Sequence, residues 1–388
     1  MRKRYLPGRL SKMLVALGII IVFVTMACAP AAAPTATPTK APAVAPTTAA
    51  APTKAAEPTK PAAPAATPAA ASPTPKPATL KFGGLQTASE AGIYVAIERG
   101  YFKEQGITME LTNFRTIAEL IAPLGTGQID LTAMPLSVPL LTAADRGVEF
   151  KIVADKAQGK PGWEYCQILL RKDLADSGQV KSPADLKGTK VAIPSPAAQG
   201  DMVVQMMAEE AGLKPGDIDI VVLPFAESAA GLGNKAISAA FSCEPFITTA
   251  VQQGFAVRWI PNSKFYGGVV ETSNVIFGST LLKDQDLARR WMIAYLKGNR
   301  DYTKAFTTKE GREDIVNIIV KYTSVKDVKL YDLMQMPYQD PNGVMDRKSM
   351  DLQYKWYQSK GLYTGKKTLD EMIDLSYLDY ATQKLGKQ

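Results

Sequence analysis

The chain of 388 residues has no histidine and only three cysteines. Without histidine, a Ser–His–Asp triad, a Cys–His pair and a histidine-ligated zinc site are all excluded. Cys166 and Cys243 follow Cys28, and two cysteines are too few for a disulfide framework. They could form one bond outside the cytoplasm, but two free, partly buried thiols are the simpler expectation. No motif in the chain predicts a cofactor or a metal ion.

The chain also lacks an apolar run long enough to span a membrane. Residues 14–24 form an apolar run of about 11 residues, whereas a membrane-spanning helix needs about 20. Five basic residues and no acidic ones precede this run within the first 12 positions. The short run and its basic flank are typical of a cleavable export signal, which we predict over residues 1–27.

The residues before Cys28 resemble a bacterial lipobox. Ala27 supplies the small residue before the cysteine, although Thr25 stands where a lipobox usually has leucine. The resemblance implies that Cys28 is acylated, as in palmitate-bearing lipoproteins, and becomes the new N-terminus. We therefore predict a lipid anchor at the extracytoplasmic face of the cell membrane. Ordinary signal cleavage near Ala27 or at a later alanine, leaving Cys28 unmodified or removed, is the alternative.

Residues 28–79 contain few large apolar side chains that could form a folded core. This stretch is nearly all Ala, Pro and Thr, with four lysines and one glutamate. Such a composition cannot bury enough apolar surface to offset the entropy of ordering, and its prolines favour extended conformations. We predict a disordered linker between Cys28 and a folded module that begins near Leu80.

The net charge of +8 is confined to the leader and the linker. The leader carries a charge of +5 and the linker a charge of +3, which leaves the folded module neutral. A neutral module has no general electrostatic attraction for phosphate backbones, so nucleic acid is not an expected partner.

The folded module alternates short β-rich runs with helical ones, which is typical of parallel α/β units. Two of these units resemble each other. Ile129 begins a strand–turn–helix that ends at Gly147, and Ile237 begins a similar unit that ends at Gly254. This weak internal symmetry indicates two similar lobes.

Four motifs in order carry a family resemblance: IYVAIERGYFKEQGI at 93–107, GQID at 127–130, DLKGTKVAI at 185–193, and Glu244-Pro245. Together they resemble the signature of periplasmic-type solute-binding proteins. The group concerned serves ABC importers of taurine and alkanesulfonates, nitrate, thiamine-pyrimidine precursors and riboflavin. The resemblance covers the whole module but does not single out a ligand.

The resemblance implies the α/β, two-lobed periplasmic-binding-protein fold of type 2, with ligand bound between hinged lobes. We expect residues 80–168 to form the first part of lobe one and residues 169–270 to form lobe two. Residues 271–388 then return to lobe one and add C-terminal helices. The expected crossover segments are residues 167–172 and 269–277.

In open parallel sheets, ligands bind at the carboxyl ends of the strands. The loops at those ends and the residues near the first crossover supply the candidate ligand-binding residues. They are Gln86, Thr87, Glu90, Met134, Trp163, Tyr165, Ser195, Gln199, Phe225, Glu227, Cys243 and Glu244.

Several of these candidates have structural alternatives. Thr87 and Glu90 fit a helix capping box, which would satisfy helix donors and do nothing else. Trp163 and Tyr165 could be packing residues of a strand. Glu244 could sit at a helix N-terminus because of the helix dipole.

The acidic and aromatic members of the set favour a neutral, planar solute with hydrogen-bond donors, because carboxylates repel anions and aromatic faces suit rings. Within the family, this favours riboflavin, or else a thiamine-pyrimidine precursor. Alkanesulfonate, taurine or nitrate binding is the alternative.

We expect a binding protein and not an enzyme, with no cofactor. The expected partners are a small solute, the permease and ATPase subunits of the importer, and the membrane through the lipid anchor. The protein is expected to be a monomer. A stalked sensor domain without transport is the alternative from another class.

Overall fold

The computed structural model describes residues 75–267 and 271–388. The predicted signal peptide, Cys28 and nearly all of the predicted linker lie outside the described residues. The first strand begins at Ala78, two residues before the expected start of the folded module at Leu80.

The described residues form ten strands and fourteen α-helices, joined in places by short 3-10 turns. The strands are β1 (Ala78–Gly84), β2 (Ile107–Asn113), β3 (Leu131–Met134), β4 (Phe150–Gly159), β5 (Cys166–Arg171), β6 (Lys190–Ile193), β7 (Asp219–Val222), β8 (Ala239–Cys243), β9 (Ala256–Pro261) and β10 (Glu271–Gly278). The helices are α1 (Ala91–Glu98), α2 (Tyr101–Glu104), α3 (Ile117–Thr126), α4 (Val138–Asp145), α5 (Lys172–Asp176), α6 (Gln199–Glu210), α7 (Phe225–Gly233), α8 (Phe246–Gln252), α9 (Ser279–Lys283), α10 (Gln285–Thr308), α11 (Arg312–Tyr322), α12 (Arg347–Ser359), α13 (Leu369–Met372) and α14 (Ser376–Leu385).

The strands form two five-stranded sheets with matching topology. Sheet one has the order β2-β1-β3-β10-β4, and sheet two has the order β7-β6-β8-β5-β9. In each sheet the first three strands are parallel, and the fourth strand, β10 or β5, is antiparallel to both of its neighbours and comes from a different part of the chain. The two resembling units of the sequence, β3–α4 and β8–α8, occupy the same place in the two sheets. The predicted two-lobed α/β fold is therefore confirmed.

The chain passes between the sheets twice. The first passage is residues 160–165, between β4 and β5, and the second begins at residue 262, between β9 and β10. The expected crossovers, 167–172 and 269–277, instead overlap β5 and β10. Both strands are almost wholly buried, and their sequences, CQILLR and ETSNVIFG, show no alternation of apolar and polar residues that would indicate where a strand begins. We call sheet one with its helices lobe one, and residues 166–261 lobe two.

Helix α10 holds lobe one together from the C-terminal side. Asp284 caps it by accepting a hydrogen bond from the Leu287 N–H group at 3.0 Å. Its buried face includes Trp291, whose ring lies edge-on to Phe277 of β10 with centroids 5.2 Å apart. The C-terminal helices are thus part of the core of lobe one. No helix among the described residues is long and apolar enough to cross a membrane.

Helices α1 and α10 pack closely because both have glycine at their contact. A methyl group added at Gly298 would meet Gly92 O and would lie 2.7 Å from Ala96 Cβ. We expect Gly298→Ala to lower the free energy of unfolding by about 2 kcal/mol, because backbone is forced apart. Gly125→Ala in α3 is the control. There, a methyl group would meet only Val148 methyl groups, at 3.2 Å, so the change should be small. Equal losses in urea titrations of both variants would contradict this account.

Candidate functional site

The loops after the strands of the two lobes meet at the carboxyl ends of the sheets. The Ala88 N–H group donates to Glu244 O at 3.0 Å, and the Val138 N–H group donates to Ala197 O at 2.9 Å. In both pairs the donor belongs to lobe one and the acceptor to lobe two. The cleft between the lobes is therefore closed along these edges.

A small cavity of about 30 Å³ remains between the closed lobes, which is room for about two water molecules. Both lobes contribute to its wall. The wall consists of Leu85, Thr87, Ser89, Ile117, Pro135, Lys156, Tyr165, Cys166, Pro194, Gln199, Gly200, Phe225, Phe241, Cys243 and Ser273. The cavity is thus compact, with apolar and polar parts.

The apolar part of the wall includes two phenylalanine rings and a disulfide. Cys166 of β5 and Cys243 of β8 are direct partners on antiparallel strands, with Cα atoms 4.0 Å apart, and their sulfur atoms are bonded. The expectation of two free thiols is therefore wrong. The spacing of the cysteines along the chain could not reveal this bond, because it depends on the pairing of β5 with β8.

The polar part of the wall consists mainly of hydroxyl groups and one ammonium group. Thr87 Oγ1 and Ser89 Oγ lie 2.7 Å apart in the loop before α1. Ser273 Oγ is buried and has no hydrogen-bond partner among the described residues. Lys156 is buried and donates from Nζ to Ala133 O at 3.0 Å. These groups can bind a small polar or charged head.

A buried carboxyl group, Glu271, lies at the start of β10 and bonds to lobe two. Gln199, at the start of α6, donates from Nε2 to Glu271 Oε1 at 2.7 Å and to the Tyr266 hydroxyl at 3.0 Å. Burial raises the pKa of Glu271 to about 7, although neighbouring groups including Tyr165 act in the opposite direction. A carboxyl group with a raised pKa therefore lies at the contact between β10 and lobe two.

Glu244 lies in an internal network next to the cavity. Its carboxylate accepts hydrogen bonds from the Thr248 N–H group and hydroxyl, both at 3.0 Å, and from Arg258 at 2.6 Å. The side chain of Glu244 is fully buried. Because Thr248 belongs to α8, the structural alternative for Glu244, a helix N-terminus, matches its position.

The other two acidic candidates are also paired within the protein. Glu90 accepts from the Leu85 N–H group at 2.8 Å and from the Tyr94 hydroxyl at 2.5 Å. Thr87 forms no side-chain cap hydrogen bond, so the capping box does not form. Glu227 forms an ion pair with Arg115 of lobe one at the surface.

The remaining candidates surround the cavity without lining it. Ser195 Oγ accepts from the Ile117 N–H group at 3.2 Å, which is a further contact between the lobes. Met134 is fully buried at the end of β3. Trp163 lies in the first passage with its ring edge-on to Tyr338. Gln86 has a φ angle of 57°, which is unusual for a residue other than glycine and is typical of strained loops at binding sites.

Five of the twelve predicted residues line the cavity: Thr87, Tyr165, Gln199, Phe225 and Cys243. Sequence reasoning missed Lys156 and Ser273, which belong to β4 and β10. Those strands were not predicted, so the candidates came from the loops after the parallel strands and from the residues near the first expected crossover. The available signal was a pair of adjacent charged residues, Asp155 and Lys156, between the apolar residues Ile152-Val153-Ala154 and Ala157.

Comparison with known proteins agrees with this architecture. Residues 73–263 match the NMT1-like family. A protein of Brucella abortus (strain 2308), named as a binding protein, is 25% identical over 237 residues, which is 61% of this chain and 68% of that protein.

Two solved structures share the fold. The periplasmic nitrate-binding protein of Synechocystis PCC 6803 aligns with a TM-score of 0.68 at 18% identity, over 81% of this chain and 90% of that chain. The ligand-binding component of an ABC-type import system from Staphylococcus aureus, solved with zinc bound, aligns with a TM-score of 0.66 at 15% identity. That alignment covers 78% of this chain and 98% of the other. These likenesses establish the type 2 periplasmic-binding-protein fold.

Proposed function

We propose that this protein is the extracytoplasmic solute-binding component of an ABC importer, and that it delivers a small solute to a membrane permease powered by an ATPase. The observation that carries the proposal is the cavity between the lobes, to whose wall both lobes contribute side chains. Because the chain passes between the lobes twice, they can hinge apart and close around a solute. A lipid on Cys28 would hold this receptor, acting as a monomer, beside its permease.

The size of the cavity supports a compact ligand. Pockets for drug-sized molecules measure about 300–1,000 Å³, whereas this cavity measures about 30 Å³. Among the ligands of this group, nitrate is nearest in size to this space, and riboflavin, which the sequence favoured, is farthest from it. We therefore propose an alkanesulfonate such as taurine, or nitrate, as the ligand in preference to riboflavin or a thiamine-pyrimidine precursor.

The sequence-based preference for a neutral, planar ligand rested on three acidic side chains, and their positions in the structure do not support it. Glu90, Glu227 and Glu244 all have partners within the protein. None of the three lines the cavity, so they offer a solute no free carboxylate. Hydroxyl groups and an ammonium group are present there instead, and these suit a small anion as well as a polar neutral solute.

Titration of the purified protein with taurine, ethanesulfonate, nitrate and riboflavin tests this proposal. A ligand at 100 times its Kd adds about 2.7 kcal/mol to the free energy of unfolding, which thermal unfolding detects easily. We expect Thr87→Val to weaken binding of the responding solute about fivefold, because a hydrogen bond of about 1 kcal/mol is lost at the cavity. Thr126→Val, an exposed change on α3, is the matched control and should leave the Kd unchanged.

The outcomes of the titration distinguish the ligand class from solute binding itself. A response to riboflavin alone would overturn the proposed ligand class and keep solute binding. No response to any of the four would count against solute binding itself. Loss of labelled-solute uptake in cells without this chain would favour transport, whereas normal uptake would favour a sensor.

A further inference from the structure

Lys156 is placed in the cavity by an irregularity of strand β4. Along the β4–β10 ladder, Ser273 pairs with Ala157 and Asn274 pairs with Asp155. Lys156 is therefore the extra residue of a β-bulge and has no partner in the ladder. Bulges commonly re-aim a side chain and are over-represented next to functional sites. Here the bulge sends the lysine side chain to the end of β3, where Nζ reaches Ala133 O at 3.0 Å.

The ammonium group of Lys156 has no close counter-charge from the described residues. No carboxylate oxygen among them lies within 4.0 Å of its Nζ atom. The carboxylates that act on it from farther away are Glu90, Asp155 and Glu271. Glu90 accepts from a backbone N–H group and a tyrosine hydroxyl, and Glu271 accepts from Gln199. Asp155 accepts from a threonine hydroxyl at 3.2 Å and from a backbone N–H group at 3.3 Å.

Burial of an ammonium group without a close partner costs free energy, because the charge loses its hydration. Burial accordingly lowers the pKa of Lys156, and the three carboxylates offset this only in part. The group has three donors, and its one hydrogen bond among the described residues leaves two of them free to face the cavity. Ser273 Oγ lines the same cavity, is 2% exposed at the residue level and has no partner within the described residues.

We propose that Lys156 is the residue that selects the charge of the ligand: its ammonium group forms the ion pair with an anionic head, and Ser273 donates a hydrogen bond to the same head. The phenylalanine side of the cavity then receives the rest of the ligand. This inference rests on the proposed solute-binding function. It adds that recognition depends on charge, and it identifies the residue that provides this charge.

The test compares Lys156→Met with Lys151→Met, a change on the same strand but outside the cavity. Binding of ethanesulfonate, nitrate and acetate is measured by isothermal titration, together with the neutral analogues dimethyl sulfone and acetamide. We expect the wild type to bind at least one anion and neither neutral analogue. Lys156→Met should weaken anion binding about 100-fold, as is typical when one partner of a buried charge pair is removed. Lys151→Met should leave the Kd unchanged.

Two further measurements keep the proposal falsifiable if binding or folding is lost in the Met variant. Without ligand, Lys156→Met should raise the urea midpoint of unfolding, because an unpaired buried charge is removed. A lower midpoint would mean that the lysine has a structural partner, and it would overturn the proposal. Ser273→Ala should weaken anion binding about tenfold with little change in the midpoint. An anion bound equally by wild type and Lys156→Met, or a neutral analogue bound as tightly as an anion, would overturn this inference and leave solute binding standing. A wild type that binds none of the five probes, nor riboflavin, would count against solute binding as well.

Discussion

Replacement of Cys166 and Cys243 together by alanine is expected to lower the free energy of unfolding by about 4 kcal/mol. The bond closes a loop with a sequence separation of 77 residues. In the chain-entropy model, a cross-link over a loop of this length stabilises the folded state by roughly 4 kcal/mol, because it restricts the unfolded chain. A loss of this size is a large fraction of the stability of a typical domain. Urea titration of the oxidised wild type and the double variant measures it.

The reduced wild type is the control for this experiment. It retains both sulfur atoms, so it separates the effect of the bond from the effect of the smaller side chains. Dithiothreitol should shift the midpoint of the wild type and leave the double variant unchanged. A midpoint of the wild type that does not move on complete reduction would contradict a stabilising disulfide.

The second large expected effect concerns Glu271, whose charge should make the protein less stable as the pH rises. Its pKa is about 7 in the folded protein against 4.5 for an ordinary glutamate, because burial opposes ionisation. Between these values the folded state holds a proton that the unfolded state has lost. Stability therefore falls as the pH rises from about 4.5 through 7, by about 3 kcal/mol in total.

Glu271→Gln tests this effect, because glutamine stays neutral and keeps an oxygen for the hydrogen bond from Gln199. Urea titrations at pH 5, 6, 7 and 8 should show a smaller loss of stability in the variant, which should be the more stable protein at pH 8. Burial also raises the pKa of Asp155, so a common slope remains in both proteins, and the difference between them isolates Glu271. Equal slopes would show that Glu271 does not titrate in this range.

The parallel strands and most helices could be predicted from sequence, because their signals are local. The two strand–turn–helix units predicted to begin at Ile129 and Ile237 are present as β3–α4 and β8–α8. Strands β4, β5, β9 and β10 were missed. Three of them are buried for most of their length and show no alternation, and β5 and β10 enter their sheets beside strands that are distant in sequence. Pairing of that kind depends on tertiary contacts and leaves no local pattern.

The same dependence on tertiary contacts explains why only part of the candidate site could be predicted from the sequence. Loops that follow parallel strands are recognisable from turn residues, and two of the cavity residues found in this way are Thr87 and Phe225. Lys156 and Ser273 reach the cavity only because β10 inserts between β3 and β4. Glu90 and Glu244 were placed near the cleft, but their internal partners depend on contacts that sequence alone does not reveal.

The insertion of β10 also has a consequence for the order in which the protein is assembled. Lobe two is one continuous segment, residues 166–261, and its entry and exit are adjacent because Gln167 pairs with Pro261. Lobe one needs a strand and helices from the last third of the chain. A chain that emerges N-terminus first can complete the second lobe, with its disulfide, while the first sheet still lacks the strand that joins β3 to β4. The lobe that begins first along the chain is therefore finished last, and the cleft is formed only when most of the chain has emerged.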